Sequence, residues 1–338
     1  RLRPGPSGPK SNGPARNDMP MRRLPKGMDS ADQITFRTAP GVAEFVAPEW
    51  DSLAGDNPFV GYDFLAALEQ SGSVGKGTGW DPLPIAAQSA DGTLLGALPS
   101  YLKSHSQGEY IFDHNWAHAY EQAGGRYYPK LQMAVPFTPA TGRRFLTRPG
   151  YDTVGMSALV QGAVELATQN HVSSLHITFC TEAEAIAGGK MGLMRRITQQ
   201  FHWLNDNYGT FDDFLGALSS RKRKTIRKER AAVAEHGLDI RALSGADITE
   251  AHWDVFYLFY RDTSDKKWGT SYLNREFFSL LGERMGESVV LIIAEDGGRP
   301  VAGALNFIGA DTIFGRNWGC IEDHPFLHFE VCYHQAID

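Results

Sequence analysis

Residues 221 to 230 carry seven Lys or Arg against one Glu. On a helix, Arg223, Arg227 and Arg230 share one face, where they can clasp phosphate bidentately and so relieve their mutual repulsion. A solvated basic face is the bland alternative. The segment Asp113-His114-Asn115-Trp116-Ala117-His118 sets a carboxylate and an imidazole at the end of an expected strand. Asp113 is the first candidate for a general base there and His114 the second. Trp116, Tyr120, Tyr127 and Tyr128 nearby read as packing, and Lys130 can meet a carboxylate or phosphate. Val135 to Arg144 lies between an expected strand and helix, where helix-entry N–H groups attract anions and Arg143 and Arg144 add charge. A proline-stiffened loop with solvated arginines competes with that reading. The His324/His328 and Glu330/His334 pairs are each spaced i, i+4 but lie on different helix faces, so no metal site is expected. Gly-x-Ser-x-Gly, Walker A, His-Glu-x-x-His and Cys-x-x-Cys patterns are absent.

Such residues need a scaffold, and composition supplies one. The chain has 338 residues, 42% hydrophobic and 21% charged, which fits two ordinary globular domains and excludes a wholly disordered chain. Three scattered cysteines make a disulfide framework improbable and point to a cytoplasmic home. No apolar run approaches the roughly 20 residues that span a bilayer. The net charge of −6 argues against broad nucleic-acid coating. Residues 1–30 form a basic, proline- and glycine-rich tail read as disordered.

The elements repeat. Strand, helix, helix, strand, turn, strand is expected from Gln33 to Lys103, and again from Leu238 to Ile308. Ile85–Leu98 aligns without a gap on Ile292–Leu305, sharing a Gly-Ala-Leu. Further strands are expected at Glu109–Asp113, Lys130–Val135, Ser173–Phe179 and Leu193–Trp203, and a helix opening at Pro325. The organisation is domain one at 31–205, a basic connecting helix at 206–236 and domain two at 237–338. The class is α/β (α+β): two tandem units, each a mostly antiparallel mixed sheet flanked by helices, the second incomplete. A groove between the units is expected to hold an anionic ligand.

That order resembles the GCN5-related N-acetyltransferase (GNAT) fold. The segments FVGYDFLAALEQSGSVGKGTGW, YIFDHNWAHAYEQAGGRYYPKLQMAVPFTPATG, FHWLNDNYGTFDDFLGALSSRKRKTIRKER and RNWGCIEDHPFLHFEVCYHQAID resemble the FemAB-like predicted N-acyltransferases, over about Asn57 to Asp338. The family pattern continues past Asp338, so a C-terminally truncated chain is expected.

The resemblance implies direct transfer of an acyl or aminoacyl group to an amine, with a peptidoglycan precursor as acceptor. Asp113, His114 and His324 are then the catalytic candidates. Arg143, Arg144, Arg223, Arg227, Arg230, Arg316, Asn317 and Trp318 are the substrate-binding ones. No tightly bound cofactor is implied, and acyl-CoA or aminoacyl-tRNA is the donor. The partners implied are tRNA or a nucleotide-linked cell-wall precursor. The alternative function is a non-catalytic phosphate- or RNA-binding module using Arg223, Arg227 and Arg230.

Overall fold

A computed structural model describes residues 34–267 and 269–338. The tail expected at residues 1–30 and Trp268 of the Lys267-Trp268-Gly269 loop lie outside the described residues. The first half runs β1 (Thr35–Thr38), α1 (Ala47–Ala54), α2 (Tyr62–Gln70), β2 (Trp80–Pro82), β3 (Ile85–Gln88), β4 (Leu94–Leu98) and β5 (Ser100–Lys103). It continues with α3 (His114–Gln122), β6 (Lys130–Met133), β7 (Leu146–Thr147), α4 (Asp152–Gln169), β8 (Leu175–Ile177) and α5 (Glu182–Lys190). Two helices follow, α6 (Phe211–Ala217) and α7 (Ser220–Glu235). The second half is β9 (Asp239–Ser244), α8 (Glu250–Lys267), α9 (Arg275–Met285), β10 (Val289–Asp296), β11 (Arg299–Ile308) and β12 (Ile313–Cys320). A last helical stretch starts with α10 (Leu327–Phe329), passes through a π-turn at Glu330–His334 and ends in α11 (Gln335–Ile337).

Among the described residues the strands form three four-stranded sheets, ordered β1-β3-β4-β7, β2-β5-β6-β8 and β12-β11-β10-β9. This is a mixed α/β architecture of antiparallel-rich sheets flanked by helices, with β6 and β8 parallel and the other pairs antiparallel. The stretch expected as one strand from Thr93 to Lys103 is two. Pro99, which has no N–H to give a ladder, separates β4 in the first sheet from β5 in the second.

The repeat is visible in hydrogen bonding. The β3–β4 hairpin has a register shift at Ala87/Gln88, and the β10–β11 hairpin has one at the matching Ala294/Glu295. The gapless alignment fails by one residue, however. Ile85 faces Leu98, whereas Ile292 faces Ala304 and not Leu305, because the second hairpin closes more tightly around Gly297-Gly298.

One aromatic core joins the two halves. Phe59 packs on Phe307 at 5.0 Å, Phe64 on Phe277 at 5.8 Å, and Phe137 stacks on Tyr272 at 5.0 Å. Trp253, Phe256 and Phe278 extend the same cluster into the second half. Gly319 lets α8 lie close on β12, since a Cβ there would stand 2.1 Å from the Phe259 carbonyl oxygen. The concavity left between the halves, about 470 Å³, is lined by Asp51, Asp56, Asp63 and Arg284 among others. Its acidic wall does not suit the anionic ligand expected for an inter-unit groove.

Phe64 is central to that junction, touching Phe59, Phe277 and Phe307. Phe64→Ala should lower unfolding free energy by about 3–5 kcal/mol, as a buried ring is lost and a cavity is left. Chemical denaturation should show one transition displaced to lower denaturant. A split into two transitions would mean that the halves fold separately.

Candidate functional site

The second sheet has one apolar and one polar face, and both are covered. Leu131, Met133, Leu175 and Ile177 alternate onto the side that packs with α4. The β5–β6 register sets Lys103 opposite Lys130, and the β6–β8 register sets Gln132 opposite His176, all on the other side. Lys103, Lys130 and Gln132 are fully buried. Two like charges directly opposed across a sheet are destabilising, so counter-charges must reach them.

The segment between β5 and α3 brings those charges. Lys130 Nζ donates to Glu109 Oε2 at 2.8 Å, Asp113 Oδ2 at 2.7 Å and Ser106 Oγ at 2.8 Å, which uses all three of its donors. Tyr127 donates its hydroxyl to Asp113 Oδ2 at 2.7 Å, and the Tyr128 hydroxyl meets Ser106 Oγ at 2.7 Å. Lys103 Nζ lies 3.6 Å from the centre of the Trp80 ring, donates to the Gln107 carbonyl and stands 4.0 Å from Glu109 Oε1.

Backbone geometry explains why 109–113 is not the strand that its apolar pattern predicts. Tyr110 and Phe112 take left-handed φ values of 59° and 50°, uncommon for aromatic residues, and these bends turn Glu109 and Asp113 toward the sheet. Gly108 supports the fold-back. With φ of 77°, it has no room for a Cβ, which would lie 2.6 Å from the Phe137 ring.

The environment separates the titratable groups. Burial pushes the Asp113 carboxyl up, but hydrogen bonds from Lys130, Ser106 and Tyr127 outweigh it and hold it at about 2. Burial raises Glu109 despite the Lys130 charge. Burial, against the pull of Glu109, brings the Lys103 ammonium down to about 7, and burial with the Lys130 charge brings His176 to about 4. Three buried oxygens in this region, Glu109 Oε1, Asp113 Oδ1 and Gln132 Oε1, accept no hydrogen bond from the described residues. Gln132 spends its amide nitrogen on Thr178 Oγ1 at 3.1 Å.

A FemAB-like profile described as peptidoglycan biosynthesis/recognition matches residues 41–338. The chain belongs to the FemAB-like family. One solved structure, described as that of L-PGS from Bacillus licheniformis, superposes with a TM-score of 0.41 at 10% identity, covering 83% of this chain and 71% of that one. No protein in the curated set matches.

Within this FemAB-like chain the residues singled out from sequence do not converge on one place. Asp113 lies in the buried network, while His114 is exposed at the first position of α3. Arg144 is buried and donates to the carbonyls of Ala140, Gly142, Arg143 and Thr178, so it braces the 135–144 loop from inside. Arg143 donates to Leu53, Phe145 and Thr147. Arg223 donates to the Gly216 carbonyl, Arg227 pairs with Asp212 at 2.9 Å, and Arg230 grips Glu330 with two donors and reaches Asp338. These three guanidiniums are turned onto the protein.

On β12 the register passes from Leu305↔Asn317 to Asn306↔Gly315, leaving Arg316 as the extra residue of a bulge. The bulge aims Arg316 across the junction, where it is half-buried and donates to the Phe137 carbonyl. Asn317 and Arg316 both line a small cavity of about 10 Å³ between the halves. Trp318 packs on His328 at 5.2 Å, and His324 lies 3.4 Å from Glu322 beside His236. Glu109, Lys103, Ser106 and Gln132 are not singled out by the sequence, whereas Lys130 is named there as able to meet a carboxylate, and it meets two. The period-two lysine-glutamine pattern of Lys130-Leu131-Gln132 on a strand between apolar neighbours was the available signal.

The shifts predict a two-sided pH response. The folded-state value of Asp113, about 2, lies below its ordinary 3.8. Its stabilising contribution is therefore full above about pH 4 and is lost as pH falls toward 2. Lys103 falls from 10.5 to about 7 when folded, so the unfolded chain binds the extra proton between those values and stability rises with pH across that window. Lys103→Met should remove the rise between pH 7 and 10, read from urea midpoints at each pH. Lys130→Met should cost about 3–5 kcal/mol near neutral pH by leaving two buried carboxylates without their cation.

Proposed function

We propose that this chain transfers an acyl or aminoacyl group from an activated donor to an amine of a peptidoglycan precursor, with the buried polar network on β5, β6 and β8 receiving that amine. Family membership supports the cell-wall context. The observation that carries the chemistry is the set of buried acceptor oxygens without donors, Asp113 Oδ1, Glu109 Oε1 and Gln132 Oε1. Acceptor oxygens in a dry site call for N–H donors, and an ammonium or amine brings up to three.

Chemistry follows from the proton affinities. An amine reaches the site largely as ammonium and must lose a proton before it attacks, then a second as the amide forms. Asp113, held at about 2, is a strong ion-pair partner but a weak base, and its role is to hold and orient the nitrogen. Glu109 is raised by burial, and its other oxygen shares the Lys130 ammonium with Asp113. Lys103, at about 7, has the affinity that suits a proton acceptor near neutral pH and stands 4.0 Å from Glu109 Oε1. We assign Asp113 to positioning the amine, Glu109 and Lys103 to taking its proton, and Lys130 to holding the two carboxylates in place. Acyl-CoA and aminoacyl-tRNA are the donor classes to be tried.

The test is mass-spectrometric detection of an acylated nucleotide-linked muramyl peptide after incubation with each donor class. The wild-type chain should form product. Asp113→Asn and Glu109→Gln should each lower kcat/KM by about 10²–10⁴-fold with the fold retained. Absence of product with every donor, or full activity in Asp113→Asn, sinks the reading.

A further inference from the structure

The chain between α5 and α6 carries large apolar side chains almost wholly in solvent. Met194 is 94% exposed, Ile197 82%, Phe201 87% and Leu204 79%. Scattered exposed apolar residues need no explanation, but four within eleven residues do. The expected strand at Leu193–Trp203 does not form; residues 193–205 have no regular secondary structure. The spacing explains why. Positions 194, 197, 201 and 204 recur at i, i+3, i+7 and i+10, which on a helix falls within an arc of about 80°. Arg195, Arg196, Gln199 and His202 fall on the other side of that helix. The sequence is therefore patterned for an amphipathic helix, whose apolar side has no partner among the described residues.

This segment is tied to the basic helix. Trp203 packs on Phe214 of α6 at 5.7 Å, and Asp212 of α6 pairs with Arg227 of α7 at 2.9 Å. With Arg223, Arg227 and Arg230 turned onto the protein, Arg221, Lys224 and Lys228 at i, i+3 and i+7 form a second face of α7, about 130° round from the first. All three are exposed, and none has a carboxylate partner among the described residues.

We propose that α7 and residues 193–204 form a docking surface for an anionic lipid bilayer. The cations of α7 meet the headgroups, and the 193–204 segment folds as an interfacial helix with Met194, Ile197, Phe201 and Leu204 in the acyl boundary. The observations favour a membrane over the two other occupants. An RNA backbone would engage the cations but leaves the four apolar side chains in water, and a second copy of the chain, which has an acidic wall at Asp51, Asp56 and Asp63, would have to set that wall on α7 and cover the four apolar side chains at the same time. The proposal is independent of the reaction assigned above.

Co-sedimentation of the full chain with phosphatidylglycerol-containing vesicles, against pure phosphatidylcholine vesicles, tests it. Binding to the anionic vesicles should be at least about tenfold tighter and should weaken with salt. Lys224→Gln with Lys228→Gln should lower it about tenfold, as should Ile197→Ser with Phe201→Ser, and circular dichroism of the wild-type chain should gain helix on vesicles. Equal binding to both vesicle types, vesicle binding unchanged in Ile197→Ser/Phe201→Ser, or no helix gain on binding overturns the proposal. So does RNA binding that depends on Lys224 and Lys228 without vesicle uptake, or a concentration-dependent dimer without it.

Discussion

A buried ammonium cannot stay charged without counter-charges, and Lys130 is placed where the sheet allows none of its own. Its cross-strand neighbour is a second lysine, Lys103. The fold answers with one chain reversal. Residues 104–113 fold back over the sheet, deliver Ser106, Glu109 and Asp113 to the same nitrogen, and accept left-handed backbone at Tyr110 and Phe112 in doing so. Tyr127 and Tyr128, just before β6, complete the shell. Replacing such a cluster with apolar residues of similar volume is commonly neutral or stabilising, so packing alone gives no reason to keep it. Perturbed groups gathered at strained backbone are the observation from which the proposed amine site is argued.

The second half takes part through the junction and not through a groove. The aromatic core continues from Phe59 and Phe64 into Phe277 and Phe307, and Arg316 crosses from a bulge on β12 to the Phe137 carbonyl. Phe137 in turn packs against Trp80, whose ring lies under Lys103. A contiguous set of contacts thus connects β12 to the buried polar network. Movement of one half relative to the other would have to disturb Phe137, and with it the Trp80 ring that faces Lys103.

Much of this was legible in the residue order. The doubled succession of elements, the α/β class and the interest of Asp113 follow from periodicity and residue type. What escaped was set by tertiary contacts. The apolar run Tyr110-Ile111-Phe112 between Glu109 and Asp113 reads as a strand, but ion pairing to a lysine on a distant strand overrides it. The arginines of α7 read as a phosphate clasp because a sequence shows which face they share, but not that Asp212 and Glu330 lie against that face. Arg144 reads as a cation for an anionic ligand, or as a solvated one, yet its guanidinium is consumed by three carbonyls of its own loop and that of Thr178. Leu193–Trp203 reads as a strand although its apolar spacing is helical, and its exposed side chains became informative only once their surroundings were known.

The central claim is that the buried acceptor oxygens around Lys130 receive the nitrogen of an amine substrate. A crystal structure of the chain soaked with a short peptide bearing a free primary amine tests this most directly. The account predicts the amine nitrogen within hydrogen-bond distance of Asp113 Oδ1 and of Glu109 Oε1 or Gln132 Oε1, with Lys130 unmoved. An amine bound elsewhere, with ordered water bridging all three oxygens, would contradict it.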